Sequence, residues 1–155
     1  MTTISSHKIT DKSFLSHCDA QLTAVFHWWE ELPRNSSIPH KNQISPFDLK
    51  PFLPLITMVD VSGSSKEWFY RLVGTGEVEH RGRDVTKLTV HDNFHGDEWH
   101  DVLETYQYII DNMCHIYDPS NVPNNWGGRT EDETLFLPFV DNQNNVSTIL
   151  LISVN

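Results

Sequence analysis

The sequence predicts an α+β domain, and three observations carry that prediction. Two segments, around residues 22–32 and 97–113, repeat apolar residues at helical spacing. Five short runs read as strands, two before the longer helical segment and three after it. The resulting order is helix, short helix, two strands, a glycine-bearing segment, long helix and three strands.

The first ten or so residues are polar, and residues 1–14 are expected to be a loose segment ahead of a single domain over 15–155. Ser16, with Asp19 three residues on, is expected to cap a helix in which Leu22, Val25, Phe26, Trp29 and Leu32 recur at helical spacing until Pro33 ends it. Ser45 as cap and Pro46 at the first helical position predict a short helix. Residues 55–61 and 67–73 read as strands joined by Ser62-Gly63-Ser64-Ser65-Lys66, a composition suited to a hairpin turn. Within the second run, alternation assigns Trp68, Tyr70 and Leu72 to one face and Phe69, Arg71 and Val73 to the other. Gly74 and Gly76 are read as the turn that ends this strand, followed by a polar loop closed by Gly82.

From Asp97 onward, Trp99, Val102, Leu103, Tyr106, Ile109, Ile110 and Met113 keep the helical rhythm for about four turns. His115 to Asp118 reads as a strand, and Pro119, Pro123, Gly127 and Gly128 make the remainder up to Arg129 mostly loop. Thr134 to Val140 and Val146 to Val154 read as the last strands, joined by the turn-rich Asp141-Asn142-Gln143-Asn144-Asn145. Pro138 has no N–H for a ladder bond, which places it at an edge or bulge.

The stretch Glu67 to Asp84 resembles the pattern of a bacterial PAS-like family of small sensor-type domains: an arginine, two apolar residues and Gly-Thr, then Gly-Arg-Asp/Glu. Arg71, Gly74, Thr75, Gly82, Arg83 and Asp84 carry the match. Leu32-Pro33-Arg34-Asn35-Ser36-Ser37-Ile38, Ser45 to Pro54, Leu55 to Val61 and Leu137-Pro138-Phe139 resemble further family segments in the right order, over roughly residues 26 to 154. Pro39 to Gln43 departs from the pattern as a longer loop. The resemblance implies a five-stranded antiparallel sheet with helices mainly on one face and an added N-terminal helix. It implies a non-enzymatic sensory or regulatory domain, a homodimer, and a cavity for a small organic ligand between the sheet and the long helix. Phe26, Trp28 and Trp29 would then serve as an interface with a twin, or pack on their own domain. The chain ends directly after the last strand, so a signal is expected to leave through the dimer or a protein partner in trans.

The bulk properties bound the function. A chain of 155 residues is long enough for one domain with its own core. A net charge of −10 argues against nucleic-acid binding, which needs basic clusters. Cys18 and Cys114 form neither a disulfide framework nor a cysteine-based zinc site. The N-terminus lacks the apolar core of a signal peptide, and no run is long enough to span a bilayer, so a cytoplasmic location is expected.

Three residue groups carry candidate chemistry. The pocket implied by the resemblance would draw on Trp68, Tyr70, Leu72, His80, Arg81, Trp99, Tyr106, Ile110, Trp126 and Phe136, apolar surface with a few polar fixtures; the same residues would equally make a filled core. A filled core would make the domain a pure protein-interaction module. Arg71, within an apolar strand, needs a carboxylate, and Asp60 and Asp84 are its candidate partners; Arg81 and Arg83 would suit an acidic ligand. His91, His95 and His100, with carboxylates beside them, are ligand types for zinc or iron and open a metal-dependent enzyme as a third reading; a polar loop entering a helix explains them without metal and is the reading taken. No cofactor is required. His80 or His100 would be the axial ligand of a haem, but no haem signature accompanies either, and the cysteine motif of flavin-bearing light sensors is absent. Gly74-Thr75-Gly76 does not continue as a dinucleotide-binding fingerprint, and no nucleophile motif occurs.

Overall fold

A computed structural model of the chain describes residues 4, 5, 7–93, 99–119, 121–123, 129–131 and 133–154. Helices α1 (Ala20–Glu31) and α2 (Pro46–Leu49) precede strands β1 (Ile56–Asp60) and β2 (Phe69–Val73). Three helices follow, α3 (Thr75–Arg81), α4 (Val90–Asn93) and α5 (Trp99–Asn112). The chain continues with β3 (Ile116–Asp118), the short pair β4 (Asn121–Pro123) and β5 (Arg129–Glu131), and the long strands β6 (Glu133–Val140) and β7 (Val146–Val154). Five strands form an antiparallel sheet in the order β2-β1-β7-β6-β3, the α+β architecture expected.

The two long helices lie on opposite faces of this sheet. Trp28 of α1 packs on Phe139 and Tyr106 of α5 on Phe136, with ring centroids 6.1 Å apart in each case. Phe136 and Phe139 are an odd number of residues apart on β6, so they point to opposite sides. Both faces of the central strands are therefore buried, and β7 is buried along nearly its whole length. Pro138 sits beyond the end of β3, on a stretch of β6 with no strand on that side; its carbonyl accepts the indole N–H of Trp29 at 2.9 Å.

Five local expectations need correction. Helix α1 is capped by Asp19, whose carboxylate accepts the Gln21 N–H at 2.8 Å; Ser16 closes a separate 3-10 turn by donating to the Ser13 carbonyl at 3.0 Å. Residues 7–14 are not loose. Ile9 exchanges two 2.8 Å backbone bonds with Tyr117 along the open edge of β3, and Phe14 is fully buried, stacked on Tyr117 at 4.9 Å. The polar composition hides these two apolar anchors.

Strand β2 does not alternate throughout. Met58 faces Leu72 while Val59 faces Tyr70, so Arg71 is an extra residue, a β-bulge. The bulge reverses the phase: Tyr70 and Val73 turn inward, while Leu72 leaves the face assigned to Trp68 and Tyr70 and is half-buried. The segment after Gly74 is helix α3, not loop. Gly74 is its N-cap and Gly82, at φ +86°, ends it in the left-handed conformation that spares glycine a steric cost. Finally, β4 and β5 pair as a small antiparallel sheet where mostly loop was expected.

Ser45 caps α2 through the Asp48 N–H at 3.3 Å with Pro46 at the first helical position, as the sequence indicates. Ser64 and Glu67 form a reciprocal capping box in the β1–β2 connection. Among the described residues, no helix is long and apolar enough to cross a membrane.

Candidate functional site

The site is assembled at the junction of β2, α3 and α5. Register with Val59 turns Tyr70 toward the α5 side of the sheet, where it is 2% exposed. Trp68, one residue ahead of β2 and 1% exposed, lies 5.7 Å from the Tyr106 ring and 6.2 Å from that of Trp99. The chain from Lys87 to Val90 runs along the outer side of β2, with Tyr70 N–H donating to the Leu88 carbonyl at 3.0 Å and Val90 N–H to the Trp68 carbonyl at 2.9 Å. That segment covers the edge of β2 and fixes Trp68 and Tyr70 from behind.

Helix α3 brings Arg81 over this surface. Its guanidinium carbon lies 4.8 Å from the Tyr70 ring centroid, and Nη1 donates a long 3.4 Å bond to the Tyr70 hydroxyl. Two donors in the cluster, Trp68 Nε1 and Arg81 Nε, are buried without a hydrogen-bond partner among the described residues. Such groups are rare in folded proteins because leaving one unsatisfied costs about 1–3 kcal/mol. Among the described residues Arg81 forms no ion pair. Burial raises the pKa of Tyr70, with Arg81 pulling in the opposite sense. Burial also holds the Tyr106 phenol far above its ordinary range, so both tyrosines are neutral donors at physiological pH.

The other expected residues divide. Phe136 is 8% exposed beside Tyr106, and Trp99 and Ile110 are partly buried on the same side. Trp126 and His95 lie outside the described residues, as does the side chain of His80, whose backbone is in α3. Arg71 is exposed and bonds Asp60 at 2.9 Å; Asp84 does not join that pair but holds the backbone and hydroxyl of Thr86 at 2.9 and 2.6 Å. Arg83 donates to Asn93 at 2.9 Å rather than facing the site. Phe26 and Trp29 are buried under the sheet's other face, 1% and 5% exposed, which removes them from any interface; Trp28 is half-buried, against Phe139. His91 lies beside Asp92 at 3.1 Å with its ring edge on Trp99, and His100 is exposed on α5. Among the described residues no three of His, Cys, Asp and Glu gather to hold a metal.

Two features escape the sequence pattern. A polar cluster around the buried Lys8 joins the N-terminal segment to α5: its ammonium bonds Asp101 at 2.6 Å and Thr105 at 2.7 Å. Asp118, buried nearby, lies 3.2 Å from His7, an ion-pair distance without good alignment, and burial raises its pKa against the pull of Lys8. On the outer sheet face, an open groove of about 290 Å³ is lined by Lys41, Asn42, Ile44, Met58, Arg71 and Thr148. No local sequence signal marks either, since both are built from residues far apart in the chain.

Comparison with known proteins gives one family and one fold. The family model described as a PAS domain matches residues 18–152. No curated protein matches the chain. A light-oxygen-voltage domain characterised with a flavin analogue superposes with a TM-score of 0.52 at 11% identity, over 70% of this chain and 81% of that one. An RNA-binding light-oxygen-voltage receptor gives 0.55 at 12% identity, over 99% of this chain but 39% of the receptor. The light-state dimer of the fungal blue-light photoreceptor Vivid gives 0.51 at 9% identity, over 89% and 95%. At these identities the likeness is one of fold.

Proposed function

The chain belongs to the PAS domain family, and from that premise we propose that it is a non-enzymatic sensory domain whose Trp68/Tyr70/Arg81/Tyr106 site takes a small organic molecule. One observation carries the reading: Trp68 Nε1 and Arg81 Nε are both buried at the β2/α3/α5 junction with no hydrogen-bond partner among the described residues. A bound molecule supplies what the fold leaves unmet.

The output runs through β2. Tyr70 faces the site, and its neighbour Arg71 is the bulged residue that faces outward beside Asp60 and the open groove. Occupancy that favours one packing of β2 against α3 shifts the bulge, and with it the outer surface seen by a second copy or another protein. The ligand acts only to the extent that it binds one arrangement better than the other.

Native mass spectrometry compared with the denatured mass tests this. The expected result is a reproducible excess mass per subunit that is lost in Tyr70→Ala. A clean mass, with Tyr70→Ala changing stability alone, would favour the other reading, a filled core acting through its surface; the close packing of Trp68, Trp99, Tyr106 and Phe136 supports that reading.

A further inference from the structure

We infer that the ligand of the β2/α3/α5 site is a small monocarboxylate with a flat apolar body, its carboxylate received by Arg81 and the Trp68 indole N–H. The inference rests on the reading of this junction as a ligand site and adds the chemical class.

The polar groups set the head. An indole N–H and a guanidinium donate and never accept, so the two unpartnered atoms call for acceptors only. A neutral acceptor would satisfy them as hydrogen bonds, but Arg81 is also a cation with no carboxylate of its own among the described residues. Its guanidinium rests on the Tyr70 ring and reaches that hydroxyl at 3.4 Å, which orients the planar fork without neutralising it. The missing element is an anion, and a carboxylate matches the fork. Tyr70 and Tyr106, kept neutral by burial, add phenol donors and no competing negative charge.

The rings set the body. Trp68, Tyr106 and Phe136 touch one another in tilted and edge-on contacts 5.7 and 6.1 Å apart, one continuous aromatic surface that suits the face of a planar aromatic or unsaturated group. The charge on the ligand is bounded too. With a net charge of −10 on the chain, and Arg81 the one described cation in contact with Tyr70 while Arg83 is turned to Asn93, a single negative charge is matched better than a phosphate dianion.

The test uses the full chain and follows the Trp68 Nε1–H and Arg81 Nε–H signals by NMR during addition of benzoate and indole-3-acetate. Benzamide and indole-3-acetamide serve as neutral counterparts, and inorganic phosphate as the polyanion. Expected are shifts of both signals with the acids, binding at least about tenfold tighter than for the amides. Arg81→Gln and Trp68→Phe should each weaken the acids about tenfold; Arg81→Lys keeps the charge and the stem should Arg81→Gln fold poorly, and loses the fork. Amides or phosphate binding as well as the acids would overturn the carboxylate class and leave the ligand site standing. Signals unmoved by every probe would overturn both.

Discussion

Trp29 donates its indole N–H to the carbonyl of Pro138 at 2.9 Å, a bond that fastens α1 to a stretch of β6 that runs on past the end of β3. Proline removes a donor from the ladder, and with it the reason for a strand to pair there; the remaining carbonyl is taken by a side chain. Trp29→Phe keeps the ring and leaves the buried carbonyl unmet. It should cost about 1–3 kcal/mol in chemical denaturation without changing the oligomeric state. A change in subunit association would return Trp29 to an interface role.

Two glycines of α3 are required for different reasons, and substitution should separate them. At Gly74 a Cβ would come 2.1 Å from the Leu53 carbonyl oxygen and 2.7 Å from Pro54 backbone atoms, with no flexible side chain to yield. Gly74→Ala should therefore cost about 3 kcal/mol or more. Gly82 has open space around it but a φ of +86°. Gly82→Ala should cost only about 1 kcal/mol. Equal costs in urea denaturation would contradict the distinction.

His115 is walled by the rings of Phe14, Phe26 and Trp29, with Nε2 2.9 Å from the Asp11 carbonyl. Burial lowers its pKa below 6.5, while that carbonyl and the charges of Asp11 and Glu30 pull upward and Lys12 pulls down. The folded state then binds the proton less readily than the unfolded one. Its contribution to stability is present above pH 6.5 and lost as pH falls through the depressed native value. His115→Phe should flatten that part of the stability profile, and the native imidazole should titrate below 6.5 by NMR. Titration at or above the ordinary value would overturn the assignment.

Legibility followed locality. Helix α5 repeats its apolar residues through several turns, and α2 carries its Ser45-Pro46 start within two residues, so both are readable from the sequence. Helix α3 is opaque because Gly74 and Gly76 look like breakers, whereas a backbone approach from Leu53 and Pro54 requires them. The bulge at Arg71 depends on the register of two strands and reverses every face after it. The site divides the same way. Alternation and helical rhythm bring Trp68, Tyr70, Tyr106 and Phe136 into view, while the unmet donors of Trp68 and Arg81 exist only once three elements meet. The docking of residues 7–14 rests on the β3 edge, more than a hundred residues away.

That docking carries the sharpest test of the N-terminal segment. The Lys8 ammonium is fully buried, bonded to Asp101 and Thr105, while the Asp101 side chain is 57% exposed. Removing one partner is therefore not equivalent to removing the other. Asp101→Asn leaves a cation out of water with Thr105 and the field of Asp118, a carboxylate that burial itself disfavours, and should cost about 3 kcal/mol. Lys8→Met replaces the ammonium by an apolar chain of similar length and frees Asp101 to water, and should stay within about 1 kcal/mol of the parent. In the double variant the cost of Asp101→Asn should disappear, because no buried ammonium remains to be orphaned and Asp118 has lost the pull of Lys8 equally in both Lys8→Met proteins. Urea denaturation of the four proteins gives the coupling directly. Additive costs would mean that Lys8 is solvated in solution and that the segment is not held by this bond.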